Sequence, residues 1–187
     1  NAFASGRDPN HAVICVTTGC LEKLDKQELE GVIAHEISHV ANYDIRFMTL
    51  TVVLVGMISL IAQMYLRSLW FSSIGRDREN KGGLVLILLS VIAAILAPLA
   101  AQLVSLAISR KREFTADATA VKFTRYPLGL SKALKKIKNE HVGDGDRKHY
   151  AKAVAPLFIS DPFKKKISGL LSTHPDIDER IKKLERM

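Results

Sequence analysis

The chain has 187 residues, of which 48% are hydrophobic and 25% charged, and its formal net charge at pH 7 is +8. This length allows one ordinary domain. The positive charge does not indicate a nucleic-acid partner, because the lysines follow helix faces without the interleaved aromatic side chains that stack on bases. We therefore expect the positive charge to favour anionic lipid headgroups, and we expect no nucleic acid among the partners.

The two cysteines and the start of the chain bear on its cellular setting. Cys15 and Cys20 lie in the segment CVTTGC, which contains no CxxC pair and is too sparse for a disulfide framework. We expect free thiols in a reducing compartment. The chain begins at Asn1 without an initiator methionine or a signal peptide, so we expect a fragment of a longer protein.

The first elements predicted along the chain are a strand and an amphipathic helix. Residues 11–18, HAVICVTT, are rich in β-branched side chains and are bounded by turn-forming residues, as is typical of a strand. Asp25 and Glu28 have the spacing of a capping box, and apolar residues then recur at helical intervals. The pattern predicts a helix that begins at Asp25 and includes the segment AHEISHV, residues 34–40.

Two long uncharged runs follow this helix. Residues 47–66 are twenty consecutive uncharged residues, and residues 84–109 are twenty-six. Since a helix needs about 20 residues to cross a hydrocarbon core, both runs predict transmembrane helices, joined by a charged turn at residues 67–83. The alternative is a pair of buried helices in a soluble core, but a chain of this size has too little other material to cover them.

The last third of the chain predicts further helices and completes the fold class. Residues 109–123 and 128–140 are expected to be helical, residues 141–149 to form a turn, and the last helix to be capped near Asp176. The expected fold is mainly α with a small β-sheet. The domain outside the membrane consists of residues 1–46 and 110–187 and is interrupted by the transmembrane hairpin of residues 47–109.

The sidedness of this hairpin is not decided by charge. Both parts of the domain must lie on one side of the membrane, because two spans return the chain to the side where it started. Four basic residues lie near the span ends on the turn side and five on the other side, and this small difference does not assign the cytoplasmic face.

A His-Glu-x-x-His motif carries the predicted chemistry. His35 and His39 are four residues apart on a helix, so both imidazoles project from one face and can bind one metal ion. A bound zinc lowers the pKa of its water toward about 7, and the carboxylate of Glu36 can take the proton and pass it to a leaving amine. This is the chemistry of a metallopeptidase. The alternative is that the two histidines are simply hydrogen-bonded polar residues.

A catalytic zinc site needs a third protein ligand. Glu113 is the best placed, because it follows the second span by four residues, while His39 precedes the first span by eight, about 12 Å of helix. Asp117, one turn later, is suited to accept the free N–H of a ligand histidine. The alternative is that Glu113 is exposed to solvent and pairs with Arg110 or Lys111. The other candidate ligands are Asp117, His141, His149, His174, Cys15 and Cys20.

His174 stands in a His-Pro step that cannot lie inside a helix. A histidine on such a loop can approach a substrate without binding the metal, and its useful task would be to stabilise the tetrahedral oxyanion. On the residues alone, an ordinary surface histidine is the simpler interpretation.

The segments AHEISHVANYD, SRKREFTADA and STHPDIDERI, together with NAFASG and VTTG, resemble the HtpX family of membrane-bound zinc metalloproteases, relatives of the type 1 CAAX prenyl protease. The resemblance covers nearly the whole chain. It implies a zincin-like (gluzincin) domain with Zn²⁺ bound by His35, His39 and Glu113. It further implies Glu36 as the catalytic base and Asp117 as a carboxylate beside the ligands.

The resemblance also implies a function and a location. Members of the family are multi-pass proteins of the cell (inner) membrane whose catalytic domain faces the cytoplasm, and they cleave misfolded or damaged membrane proteins in stress response and quality control. By the same resemblance His174 becomes a transition-state stabiliser and Arg180 a neighbour of the active site. The substrate cleft is then expected to be bordered by an edge of the sheet, with contributions from Asn1, Ala2, Phe3 and Val16.

The chain also departs from the family pattern. Two further spans that usually precede the NAF segment are not in this sequence, Tyr43 replaces the glycine expected after Asn42, and Asp176 replaces a second proline after His174-Pro175. Two other functions remain open: a CAAX-type membrane protease that cuts one defined site, and a catalytically silent zinc-binding membrane adaptor. Glu36 argues against the adaptor, because a structural zinc has no use for a carboxylate base beside its ligands.

Overall fold

The computed structural model describes residues 1–72, 81–139 and 174–187. These residues are mainly helical with one small sheet, which confirms that part of the predicted fold class. The turn predicted at residues 141–149 lies outside the described residues, as does the middle of the one predicted at residues 67–83. The elements are β1 (Ala2–Asp8), β2 (His11–Val16), α1 (Thr18–Lys23), α2 (Lys26–Ala41), α3 (Asp44–Ser72), α4 (Lys81–Thr124), α5 (Pro127–Asn139) and α6 (Ile177–Leu184).

The sheet is an antiparallel pair of β1 and β2, in which Ala2 lies opposite Val16 and Gly6 opposite Ala12. Gly6 has φ +143°, and a Cβ there would lie 2.2 Å from the His11 carbonyl oxygen, so a side chain does not fit. The pattern predicted β2 but not β1. Its sequence, AFASGRD, is rich in small residues with weak strand preference, and pairing with β2 provides the missing stabilisation.

Helix α2 begins as the sequence predicts. The Asp25 side chain accepts from the Glu28 amide at 2.9 Å, and the Glu28 carboxylate accepts from the Asp25 amide at 2.9 Å, which completes the capping box. Helix α2 packs closely on α5: a Cβ at Gly31 would lie 2.6 Å from the Leu130 nitrogen. The two helices share a core of small and branched apolar side chains that includes Val32, Leu130, Ala133, Leu134, Ile181 and Leu184.

Helix α2 does not continue into α3. It ends at Ala41, α3 begins at Asp44, and Tyr43 between them has φ +55°. A left-handed residue ends a helix and is tolerated best as glycine, which explains why glycine is expected at this position. The sequence-based estimate of an unbroken helical spacer from His39 to Phe47 was therefore wrong.

The chain divides into two compact units, one of residues Asn1–Met48 and Ala107–Met187 and the other of residues Thr49–Leu106. The first unit contains the sheet and the core shared by α2, α5 and α6. The second contains the apolar stretches of α3 and α4. Pro98 lies inside α4, which continues past it to Thr124.

The segments Asp44–Leu69 and Ile87–Thr124 are long and apolar enough to cross a membrane. In the most apolar 18-residue stretch of each segment, only 6% and 0% of the residues are buried by other parts of the described chain; Leu60 is 60% exposed and Met64 71%. The alternative of two buried core helices is thus contradicted, since core helices bury their apolar side chains.

Candidate metal centre

Helix α2 places two histidine rings next to each other. His35 is 1% exposed, and its Nε2 lies 3.2 Å from Nε2 of His39. The ring planes are nearly perpendicular, at 88°, with centroids 4.7 Å apart. This arrangement follows from the four-residue spacing, which stacks the two side chains on one face.

Helix α4 brings Glu113 to the same point. One carboxylate oxygen lies 3.6 Å from Nε2 of His35 and the other 3.6 Å from Nε2 of His39. Two ligand atoms of a tetrahedral zinc with bonds of about 2.0–2.1 Å are about 3.3 Å apart. The spacing of these three groups therefore fits one metal ion of that kind. Among the described residues they form the one such cluster of histidine, cysteine and carboxylate side chains.

A carboxylate and an arginine support His35 from behind. Nδ1 of His35 lies 2.9 Å from an Asp117 oxygen. Arg180, which is 2% exposed, donates to both oxygens of Asp117, at 2.9 and 2.7 Å, and a third nitrogen lies 3.2 Å from Glu113. The hydrogen bond at Nδ1 leaves Nε2 to face the metal position.

A second carboxylate lies behind His39. Nδ1 of His39 is 2.7 Å from an oxygen of Asp44, which is 4% exposed, and the other Asp44 oxygen forms an ion pair with Arg112. Neither Asp44 nor Arg112 was predicted from the sequence to lie at this site. Residues five apart on a continuous helix point about 140° away from each other, so their spacing alone argues against contact with His39. The one signal in the sequence for this contact was Tyr43, which stands where a glycine is expected and where the helix ends.

Glu36 lies beside the ligands on the adjacent flank of α2. It is 3% exposed, and the Ala4 amide of β1 donates to its carboxylate. Burial raises the pKa of Glu36, and the nearby histidines offset part of that shift. A raised pKa makes the carboxylate a stronger base, a property that would suit a general base.

The two histidine rings have opposite pKa shifts. Burial and Arg180 lower the pKa of His35, but hydrogen bonds to Asp117 and Glu113 outweigh both and raise it to about 9. Burial, reinforced by the neighbouring His35, lowers the pKa of His39 to about 4. A histidine binds a metal through a neutral ring, so a metal held here would compete with a proton on His35.

The structure also brings His174 to this centre. Nδ1 of His174, which precedes α6, lies 3.3 Å from a Glu113 oxygen, and its side chain is 16% exposed. Of the other candidate ligands, the two cysteines are free thiols, one exposed and one buried, and neither belongs to the cluster. His141 and His149 lie outside the described residues.

The residues expected to border the substrate occupy different environments. Asn1, Phe3 and Val16 are partly exposed near one end of the sheet. Ala2 is fully buried and packs in the core. Arg180 is buried and bound by the two carboxylates, so its guanidinium contacts the metal centre.

A metal site with three protein ligands and a carboxylate base beside it is characteristic of the metallohydrolases. Comparison with known proteins gives a more specific assignment: the pattern of peptidase family M48 matches residues 1–187, and the chain belongs to this family.

Relatives named "Protease HtpX homolog" match the whole chain, which confirms the resemblance to the HtpX family. Those of Caldanaerobacter subterraneus subsp. tengcongensis, Streptococcus gordonii and Dictyoglomus thermophilum are 45%, 47% and 46% identical. The chain covers 62%, 64% and 60% of their lengths, so it spans somewhat less than two thirds of the relatives it matches. No solved structure matches the chain.

Proposed function

We propose that this chain carries the catalytic centre of a zinc-dependent endopeptidase in a membrane. The observation that supports the proposal best is the convergence of His35, His39 and Glu113, whose ligand atoms lie 3.2 to 3.6 Å apart. Imidazole and carboxylate are ligands that zinc accepts, and three protein ligands leave a position for water. The proposed fold of this domain is zincin-like, since a single helix supplies both histidines and the base.

Each residue of the centre has a role in peptide hydrolysis. When bound, the zinc ion supplies a positive charge that lowers the pKa of water and polarises the peptide carbonyl. Glu36 accepts the proton of the attacking water and delivers it to the leaving nitrogen. His174, beside Glu113, donates a hydrogen bond to the oxyanion of the tetrahedral intermediate. Asp117 holds the ring of His35 in its metal-binding orientation.

The substrate is proposed to be an extended polypeptide next to β1. The Ala4 amide on this strand bonds to Glu36, so a peptide that lies along the strand would pass the base. Of the residues expected to border the substrate, Asn1, Phe3 and Val16 are partly exposed. Ala2 and Arg180 would act indirectly, by supporting the strand and the carboxylates.

The proposed setting is the cell (inner) membrane, with α3 and α4 as spans and the catalytic unit on the cytoplasmic side. The exposed apolar surface of both helices and the relatives named as HtpX proteases support it. Misfolded or damaged membrane proteins would be the substrates, which makes the function protein quality control.

The test compares wild type with Glu36→Gln in the full chain, held in detergent. We expect the variant to keep its zinc and to cleave an unfolded, fluorescently labelled protein about 100- to 10,000-fold more slowly than wild type, because only the general base is lost. Zinc content is measured by atomic emission. Glu30→Gln, on the exposed face of the same helix, is the matched control and should cleave normally.

Each contrary outcome has its own meaning. A Glu36→Gln variant that keeps zinc and cleaves at the wild-type rate contradicts the proposed mechanism. Equal zinc without cleavage by either protein favours the silent adaptor. Cleavage at one bond only, across a panel of unfolded substrates, favours the site-specific CAAX-type protease.

A further inference from the structure

We propose that Asp44 and Arg112 are positioning residues of the metal centre, which orient His39 and tie its helix to the helix that supplies Glu113. This inference rests on the proposed zinc site. Nδ1 of His39 lies 2.7 Å from Asp44, and its Nε2 faces both His35 and Glu113. A ring held at Nδ1 by a carboxylate presents the lone pair of Nε2 to a metal.

The two ligand histidines thus have matching supports. His35 is held by Asp117, and Arg180 binds that aspartate through two hydrogen bonds. His39 is held by Asp44, and Arg112 pairs with that aspartate. In both cases a buried carboxylate is bound on one side by an imidazole and on the other by a guanidinium. The arginine balances the charge of the carboxylate, which would be costly to bury alone.

The break between α2 and α3 makes the second support possible. On an unbroken helix Asp44 would point about 140° away from His39. Because Tyr43 adopts φ +55°, the chain turns, and Asp44 starts a new helix with its carboxylate returned to His39. An acidic side chain in the first turn of α3 is also stabilised by the helix dipole. The strained backbone at Tyr43 therefore serves to place the Asp44 carboxylate beside His39 at the metal centre.

Arg112 connects this break to α4. It pairs with Asp44, donates to the Asn42 carbonyl at 2.8 Å, and its guanidinium lies 5.4 Å from the ring of Phe47. The next residue on α4 is the proposed ligand Glu113. A residue that binds the end of α2 and the start of α3 therefore sits directly beside the third ligand, so His39 and Glu113 are fixed relative to each other.

The experiment measures zinc affinity of the full chain in detergent, by competition with a chromophoric chelator. We expect Asp44→Ala and Asp44→Asn to weaken zinc binding by about 10- to 100-fold, the usual effect of removing such a support. Arg112→Ala should weaken binding in the same direction. Glu185→Ala, which breaks an exposed ion pair with Lys135, is the matched control and should leave zinc affinity unchanged.

A second readout separates positioning from a general loss of stability. Co²⁺ in place of zinc gives a visible absorption spectrum that depends on ligand geometry, and we expect this spectrum to change in Asp44→Asn. In a His39→Ala background, adding Asp44→Ala should weaken metal binding no further, because the support acts through His39.

Three outcomes would overturn the inference. One is wild-type zinc affinity and an unchanged Co²⁺ spectrum in Asp44→Asn and Asp44→Ala. Another is an equal loss of affinity from Asp44→Ala with and without His39. The third is a wild-type chain that binds no zinc. In that case the proposed function fails as well, so the zinc affinity of the wild type distinguishes failure of the proposed function from failure of this inference alone.

Discussion

His35 and His39 are chemically identical side chains one helical turn apart, yet the protein treats them differently. His35 is almost fully buried against Asp117 and Arg180, whereas the side chain of His39 is 18% exposed and rests on Asp44. Each ring is held through Nδ1, so both present Nε2 to the same point. The orientation of the two rings thus depends on the carboxylates beside their Nδ1 atoms.

The backbone at Tyr43 gives a prediction at the residue scale. We expect Tyr43→Gly to be more stable than Tyr43→Ala by about 1 kcal/mol, because both lose the ring but only glycine adopts φ +55° without strain. Thermal unfolding of the full chain in detergent measures the difference. The same pair of substitutions at Ile37, on the exposed face of α2, should give the opposite order. Equal midpoints for the Tyr43 pair would refute a left-handed residue there.

At the scale of elements, α2 depends on its contact with α5. Gly31 lies one turn before His35, and its missing side chain lets the backbone of Leu130 approach. Lys136 of α5 also reaches the capping box of α2, 2.5 Å from Glu28. The helix that carries His35 and His39 is therefore fixed at its start by a cap and in its middle by a close helix contact.

This contact predicts the effect of one methyl group. Gly31→Ala should lower the stability by about 1–3 kcal/mol, because the new Cβ would lie 2.6 Å from the Leu130 nitrogen and the helices must separate. We expect zinc affinity to fall as well, since His35 moves with α2. Gly19→Ala, where a Cβ meets nothing within 4 Å, is the control. A Gly31→Ala protein with the melting temperature of wild type would contradict the close packing of α2 and α5.

At the scale of the whole molecule, most of the buried charged side chains among the described residues of the first compact unit lie in one place; Glu28, at the start of α2, is the exception. Glu36, Glu113, Asp117 and Arg180 are all less than 10% exposed and lie around the two histidines. Such groups are costly to bury unless they are paired or bind a metal. The second unit has the opposite character, with apolar side chains exposed along two long helices. A membrane would cover that surface.

Metal binding should therefore stabilise the folded chain. A zinc concentration 100 times the dissociation constant adds about 2.7 kcal/mol, since the ligands converge only in the folded state. We expect the melting temperature in detergent to rise with zinc and to fall with a chelator. In His35→Ala this dependence should disappear, while His11→Ala, at an exposed position, should keep it. A melting temperature that changes neither with zinc nor with chelator would exclude a metal centre of this kind.

Local patterns in the sequence predicted the individual elements well. The capping box placed the start of α2, and the uncharged runs placed the two long helices. The four-residue spacing of the histidines placed both rings on one face. These features depend on neighbours within a few residues, which is why the sequence alone determined them.

Contacts between distant segments were decided only by the tertiary structure. The strand β1 forms because β2 lies beside it, and Arg180 reaches Asp117 across 63 positions of the chain. Asp44 lies near His39 in sequence, but a regular helix would point it elsewhere; the turn at Tyr43 and the ion pair with Arg112 bring it back. Sequence determined which side chains could bind a metal, because that follows from their chemistry and local spacing. The groups that hold them in place depend on backbone breaks and long-range pairing, for which the sequence carries no local periodic signal.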